Sequence, residues 1–201
     1  MSTSQLILAS SSPQRRALLQ QIGLEPVCIA ADIDEARLAN ESAPDYVRRL
    51  SLEKCQVVAK AYPDAVVVGS DTTISIADRV LGKASDLEQA IETLSLLSDT
   101  QHSVFTGVAV ASGTRHKVTV CETKVQFGVL TIDDIRDYWQ TGEPQGKAGC
   151  YAIQGLGAVF VKAINGSYSN VVGLPLREVA ALLAQFGMLV PGASSLSKDS
   201  F

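Results

Sequence analysis

The residues of this chain that could do chemistry fall in a few short segments, each set against an apolar run. The densest is Leu6–Leu19, LILASSSPQRRALL, in which Ser10, Ser11 and Ser12 meet Pro13, Gln14, Arg15 and Arg16. It reads as a buried strand, a hydroxyl-rich turn, and a helix opening near Pro13 with Ser12 as N-cap. A proline in the first helical turn loses only an N–H that would be unpaired there anyway. The start of such a helix offers free N–H groups and the positive end of its dipole. With Arg15 and the hydroxyls of Ser10 and Ser12 added, a phosphate can sit there. A capped turn with a solvated basic face is the competing reading of the same residues. No Walker loop occurs, and the glycine pair in Gln154–Phe160, QGLGAVF, lacks the third glycine of a dinucleotide fingerprint.

The other segments are Asp32–Glu35, Glu53-Lys54, Ser70-Asp71-Thr72 and Gly82-Lys83, with Lys147 and Gln154 on either side of AGCYAI. Asp71 directly follows the β-branched run of Ala65–Gly69 and Ser70, which places it at the carboxyl end of a buried strand. Ligands of open α/β sheets sit there. An acid at that point can hold a divalent metal, take a proton from water, or serve only as a turn residue. Glu53 and Lys54 can equally be a solvated helix face, Glu35 a turn cap, and Lys83 loop charge. His102 reads as a surface or hydrogen-bonded structural histidine, and Tyr151 and Ile153 as core.

These segments need a frame. Leu6–Ala9, Val27–Ala31 and Ala65–Gly69 read as short strands, and Thr73–Ala77 as a further strand ending in a turn at Asp78-Arg79. A helix opens at Ser42-Ala-Pro-Asp45 and carries Tyr46, Val47, Leu50, Val57, Val58 and Ala61 at helical spacing. A second follows a capping box at Ser85–Glu88 and runs through Leu97. Ser103–Ala111 and Lys117–Phe127 form a hairpin. Thr131–Asp134 caps a helix through Trp139 that Gly142 stops. Ala158–Ile164 is a strand, and Leu174–Phe186 a last amphipathic helix closed by Gly187. Parallel-type strands followed by a hairpin predict an α/β fold of α+β character.

Composition narrows the function classes. A chain of 201 residues, 46% of them hydrophobic, can bury a substantial core. A net charge of −4 and 5% aromatic residues argue against a nucleic-acid surface, while one small anion needs only a local basic cluster. Cys28, Cys55, Cys121 and Cys150 show no CxxC spacing and read as buried, reduced thiols. With His102 and His116 alone, a histidine metal centre or a Ser-His-Asp triad is a poor expectation. No signal segment or membrane span is evident, so a cytoplasmic protein is expected.

Taken in order, LILASSSPQRRALL, DIDE at Asp32–Glu35, LEK at Leu52–Lys54, GSDT at Gly69–Thr72 and LGK at Leu81–Lys83 resemble the Maf family of nucleoside triphosphate pyrophosphatases. FTGVAV at Phe105–Val110, GKAGCYAIQGLG at Gly146–Gly157 and NGSYSNVVGLPL at Asn165–Leu176 continue the likeness. Each piece is weak alone; all in register are specific. The resemblance implies a mixed twisted sheet flanked by helices, Maf/ITPase-like, with two lobes and a cleft. It implies one such domain over residues 1–190; residues 191–201, rich in Ser and Gly, read as a flexible tail. It further implies a homodimer that hydrolyses dTTP or UTP to the monophosphate and pyrophosphate with Mg²⁺ or Mn²⁺.

By position, Asp71 matches the proton acceptor of the family. Ser10, Arg15, Lys54 and Lys83 match residues around the phosphates, with Ser12 beside them, and Glu35 matches a second acid that with Asp71 would hold metal. Beside lysines and a metal, Asp71 is better suited to holding metal and water than to strong general-base work. Base preference turns on Gln14, Thr72 and Gln154. Relatives of the dTTP/UTP group have Arg, Thr and Gln there, and those acting on 7-methyl-GTP have Trp, Gln and Glu. Thr72 and Gln154 follow the pyrimidine group, and Gln14 follows neither. A 7-methyl-GTP pyrophosphatase and a nucleotide-sensing, division-related binding module are the alternatives.

Overall fold

A run such as Leu6–Ala9 has no polar face, so it must be covered on both sides. The computed structural model describes residues 5–193 and residue 195. In it this run forms β1 (Leu6–Leu8), every side chain of which is buried. β1 pairs in parallel with β2 (Val27–Cys28) and with β3 (Val66–Ile76), Ile7 standing opposite Val27 and Val67. β4 (Arg79–Leu81) pairs antiparallel with β3, and β7 (Val161–Asn165) antiparallel with β6 (Arg115–Phe127). Together with β5 (Gln101–Ser112) they form a seven-stranded mixed sheet of order β2-β1-β3-β5-β6-β7, with β4 off this path on β3. The helices are α1 (Pro13–Gln21), α2 (Ala43–Ala61), α3 (Leu87–Leu97), α4 (Ile132–Gln140), α5 (Tyr168–Val172) and α6 (Leu176–Gln185). The α/β expectation is met. Among the described residues no helix is long and apolar enough to cross a membrane.

The chain forms two compact units. Of the described residues, the first holds those up to Asp71, Thr106–Cys121 and those from Gly173 onward. Its core joins Ile7, Ala9, Cys55, Val58, Val67 and Ala109. The second holds Thr72–Phe105 and Glu122–Val172. Its core is more aromatic: Phe127, Tyr138, Tyr151 and Phe160 pack with Leu94, Leu97 and Ile135.

Helix starts follow the capping chemistry. Ser12 accepts from the N–H of Arg15 at 3.4 Å, Ser42 from Asp45 at 3.3 Å, and Thr131 forms a full capping box with Asp134. The third helix departs from expectation. Its N-cap is Asp86, which accepts from the N–H of Gln89 at 2.9 Å, while the Ser85 hydroxyl donates to Asp86 and the Ser85 N–H to the Gln89 side chain. A carboxylate facing the helix dipole prevails over the neighbouring hydroxyl.

Other expectations also change. Ala65–Gly69 and Thr73–Ala77 are one strand, β3, so Asp71 lies within it and neither at its end nor in a turn. The turn after β3 falls at Ala77-Asp78, both in the left-handed region, as a two-residue hairpin requires. The expected strand Ala158–Ile164 opens as a 3₁₀ turn over Leu156–Phe160 and becomes β7 only from Val161. The stripe of α2 that faces the core is Val47, Leu50, Ser51, Lys54, Cys55 and Val58, while Val57 and Ala61 are exposed. Cys55 and Cys150 are buried, but Cys28 is exposed and Cys121 half-buried. The expected tail at 191–201 lies largely outside the described residues.

Candidate active site

In the first unit, three separate segments converge on Lys54. This lysine occupies the buried stripe of α2, where the helical spacing calls for an apolar residue. Its Nζ lies 2.7 Å from Asp71 Oδ1 and 2.6 Å from Glu35 Oε1. Lys54 and Asp71 are each 7% exposed, whereas Glu35 is exposed. A buried ammonium is stable only when paired and hydrogen-bonded, so the solvated-face reading of Lys54 does not hold. Asp71 lies within β3, yet three residues past the last β1–β3 pair, Leu8 with Val68. The acid therefore stands beyond the carboxyl end of the parallel strand β1, although not at the end of its own strand.

Ser10 follows β1 by two residues, and Arg15 lies in the first turn of α1. Arg15 Nε donates to the carbonyl of Gly173 at 3.0 Å, and Nη1 to Ser10 Oγ at 3.3 Å. Burial draws the Arg15 guanidinium below its ordinary value, while the Asp71 and Glu35 carboxylates push it back up. The two groups are thus electrostatic neighbours, and the guanidinium stays charged. Ser12 caps α1 and donates from Oγ to Gln14 Oε1 at 3.2 Å, which fixes Gln14 beside the cap.

Several further residues complete the arrangement. Ser70 Oγ donates to the carbonyl of Gly173 at 3.1 Å, so one carbonyl orients both Ser70 and Arg15. The acidic loop after β2 has no regular structure, and α2 holds it by side chains. Tyr46 donates to the carbonyl of Glu35 at 2.9 Å, Arg49 Nη2 donates to the carbonyl of Ala36 at 3.0 Å, and Arg49 Nε pairs with Glu41 at 2.6 Å. The hydrogen bond from Arg49 holds the Glu41 carboxyl below its usual value. Burial, then the Asp71 and Glu35 charges, raise the Tyr46 phenol, so it remains a donor. Tyr46 and Arg49 lie three residues apart on α2, but nothing in the sequence says which loop such residues hold.

The second unit holds the remaining candidates. Thr72 follows Asp71 in β3. Lys83 is exposed, and its backbone bridges to Ala148, so the LGK and GKAGC segments lie side by side. Gln154 is exposed at a turn closed by the Gly155 N–H on the Ala152 carbonyl at 3.1 Å. Tyr151 and Ile153 are core, as expected. His102 is buried, and its Nε2 shares a 2.9 Å hydrogen bond with Tyr151.

Glu35 and Asp71 suit a hard divalent cation, because both present a carboxylate oxygen to one point, now filled by an ammonium. Among the described residues no group of three or more His, Cys, Asp or Glu side chains converges. Mg²⁺ commonly uses one or two carboxylates and takes its other ligands from phosphates and water.

The family model described as Maf-like protein matches residues 5–186. A protein of Colwellia psychrerythraea named dTTP/UTP pyrophosphatase is 51% identical over 194 residues, covering 94% of this chain and 92% of that one. A protein of the same name from Vibrio parahaemolyticus is 50% identical, covering 90% of this chain and 96% of that one. Another from Acinetobacter baylyi is 44% identical, covering 88% and 96%.

Proposed function

The chain belongs to the Maf family, and from that premise we propose that it hydrolyses dTTP and UTP to the monophosphate and pyrophosphate. The observation that carries this reading is the Lys54 ammonium bridging Glu35 and Asp71, with Arg15 held beside Ser10. Hydrolysis of a triphosphate asks little covalent chemistry of a protein. It asks for positioning and for offset of the substrate's charge. Arg15 presents a planar guanidinium to phosphate oxygens, and Ser10, Ser12 and the start of α1 add neutral donors. Lys54 and Lys83 supply point charges.

Glu35 and Asp71 would hold Mg²⁺ or Mn²⁺, which supplies charge neutralisation and lowers the pKa of bound water. Asp71 orients the attacking water and accepts its proton. Thr72 and Gln154 are assigned to the base. The Gln154 amide offers one donor and one acceptor, the pair that the N3–H and O4 edge of uracil or thymine needs. Gln14 is already engaged by Ser12, which favours a local role for it over base contact. The four free thiols fit a reducing, cytoplasmic setting, and the family likeness supports a homodimer.

The test is pyrophosphate release from UTP, dTTP, CTP, ATP, GTP and 7-methyl-GTP, with Mg²⁺ or Mn²⁺ and with chelator. UTP and dTTP should be turned over, and chelator should stop the reaction. Asp71→Asn should keep the fold and lose about 10²–10⁴-fold in kcat. A preference for 7-methyl-GTP would replace the substrate assignment. Nucleotide binding without turnover would make the protein a sensor, and a near-normal rate for Asp71→Asn would remove Asp71 from the mechanism.

A further inference from the structure

We infer that Glu143 and Tyr138 are positioning residues for base recognition: they clamp, from both sides, the turn that displays Gln154. The inference rests on the reading that Gln154 meets the base. Gln154 is exposed, but Ala152 and Ile153 before it and Gly157 after it are buried. Tyr138, in the last turns of α4, accepts from the N–H of Ala152 at 3.1 Å and donates to Glu143 Oε1 at 2.7 Å. Glu143 Oε2 accepts from the N–H of Leu156 at 2.9 Å, and Oε1 from the N–H of Gly157 at 2.9 Å. One carboxylate and one phenol thus take three backbone N–H groups, one before Gln154 and two after it.

The same geometry accounts for the QGLG glycines that match no nucleotide fingerprint. A Cβ at Gly155 would run into the Glu143 carboxylate, and one at Gly157 would lie 2.7 Å from Tyr138 Oη and 2.9 Å from the Ala152 carbonyl. Both glycines are small because the clamp comes close. Its charge state is secure: burial raises the Glu143 carboxyl, but the Gly157 N–H, Tyr138 hydroxyl and Leu156 N–H outweigh it and hold it below its ordinary value. An amide can tell uracil from cytosine only if its donor and acceptor are held in register, because the cytosine edge presents the opposite pattern. A loose turn would let the amide rotate to suit either base.

The experiment compares kcat/KM for UTP and CTP in the full chain and in Gln154→Ala, Glu143→Gln, Tyr138→Phe and the Gln154→Ala/Glu143→Gln double variant. Glu143→Gln keeps the shape but replaces one acceptor oxygen with a donor; Tyr138→Phe keeps the ring and removes the hydroxyl. Each should lower the UTP-to-CTP ratio about tenfold, chiefly through KM for UTP. In the Gln154→Ala background, Glu143→Gln should leave the ratio unmoved, because its effect passes through Gln154. A merely structural role would lower both substrates equally and leave the ratio intact. If Gln154→Ala lowers the ratio while Glu143→Gln and Tyr138→Phe do not, the clamp is rejected and base reading by Gln154 stands. If Gln154→Ala itself leaves the ratio unchanged, base reading fails and the clamp's role goes with it. Should Glu143→Gln not fold, Tyr138→Phe decides alone.

Discussion

At the scale of single residues, Lys54 sets the terms. Its ammonium lies between two carboxylates that would otherwise face each other. Lys54→Met keeps the helix stripe apolar but leaves Asp71 buried without its cation. Stability should fall by about 1–3 kcal/mol, read from urea melts, and kcat by about 10²–10³. A variant that turned over UTP normally would detach Lys54 from the site. His102 gives a second residue-level test. Burial pulls its pKa down to about 4, from the ordinary 6.5. Above pH 6.5 the imidazole is neutral in both the folded and unfolded chains and contributes nothing. As pH falls from 6.5 to 4, the unfolded chain takes up a proton that the folded one refuses, so stability drops by roughly 3 kcal/mol. His102→Asn should lack this decline, and parallel stability–pH curves for parent and variant over that window would contradict it.

At the scale of elements, α2 and the sheet meet through glycine. A Cβ on Gly69 of β3 would lie 2.7 Å from Cys55 Cβ, and one on Gly107 of β5 would lie 2.7 Å from Ser51 Oγ. This close approach lets the helix lower Lys54 to the level of Asp71. Gly69→Ala should push α2 outward, cost about 1–3 kcal/mol as overpacking does, and depress kcat by stretching the Lys54–Asp71 pair. Wild-type kcat in a destabilised Gly69→Ala protein would show that the spacing is not critical. At this scale the elements themselves were mostly legible, because Ser12, Ser42 and Thr131 announce helix starts and β-branched runs announce strands. Asp71 was misplaced as a strand-end residue because Ser70-Asp71-Thr72 looks like a polar break. The side chains of Ser70 and Asp71 find partners in Gly173 and Lys54, far away in sequence, so the strand passes through. The roles of Tyr46, Arg49 and Glu143 could not be read for a similar reason: each engages backbone groups of other segments, which no spacing rule identifies.

At the scale of the molecule, three strands pass unbroken from one compact unit to the other: β3 after Asp71, β5 after Phe105 and β6 after Cys121. Neither core can lose these strands without taking strand from the other. Thermal unfolding should therefore be a single transition, with calorimetric and van't Hoff enthalpies in agreement; two resolved transitions would contradict this. Ser10, Ser12, Arg15 and Asp71 were legible as candidates from their strand-to-turn context, whereas Lys54, Glu35 and Lys83 were set apart from ordinary surface charge only by the family likeness. Lysines, acids and serines are common, and nothing in their local sequence marks Lys54 as buried.

The bridging lysine has one more consequence. A chain that brings its own positive charge to a pair of acids has no need of a dissolved ion to stay intact. Metal starvation would then idle this protein without unravelling it: chelator should abolish hydrolysis and leave the melting temperature where it was. Restoring the ion should bring back full rate at once, with no lag for renaturation.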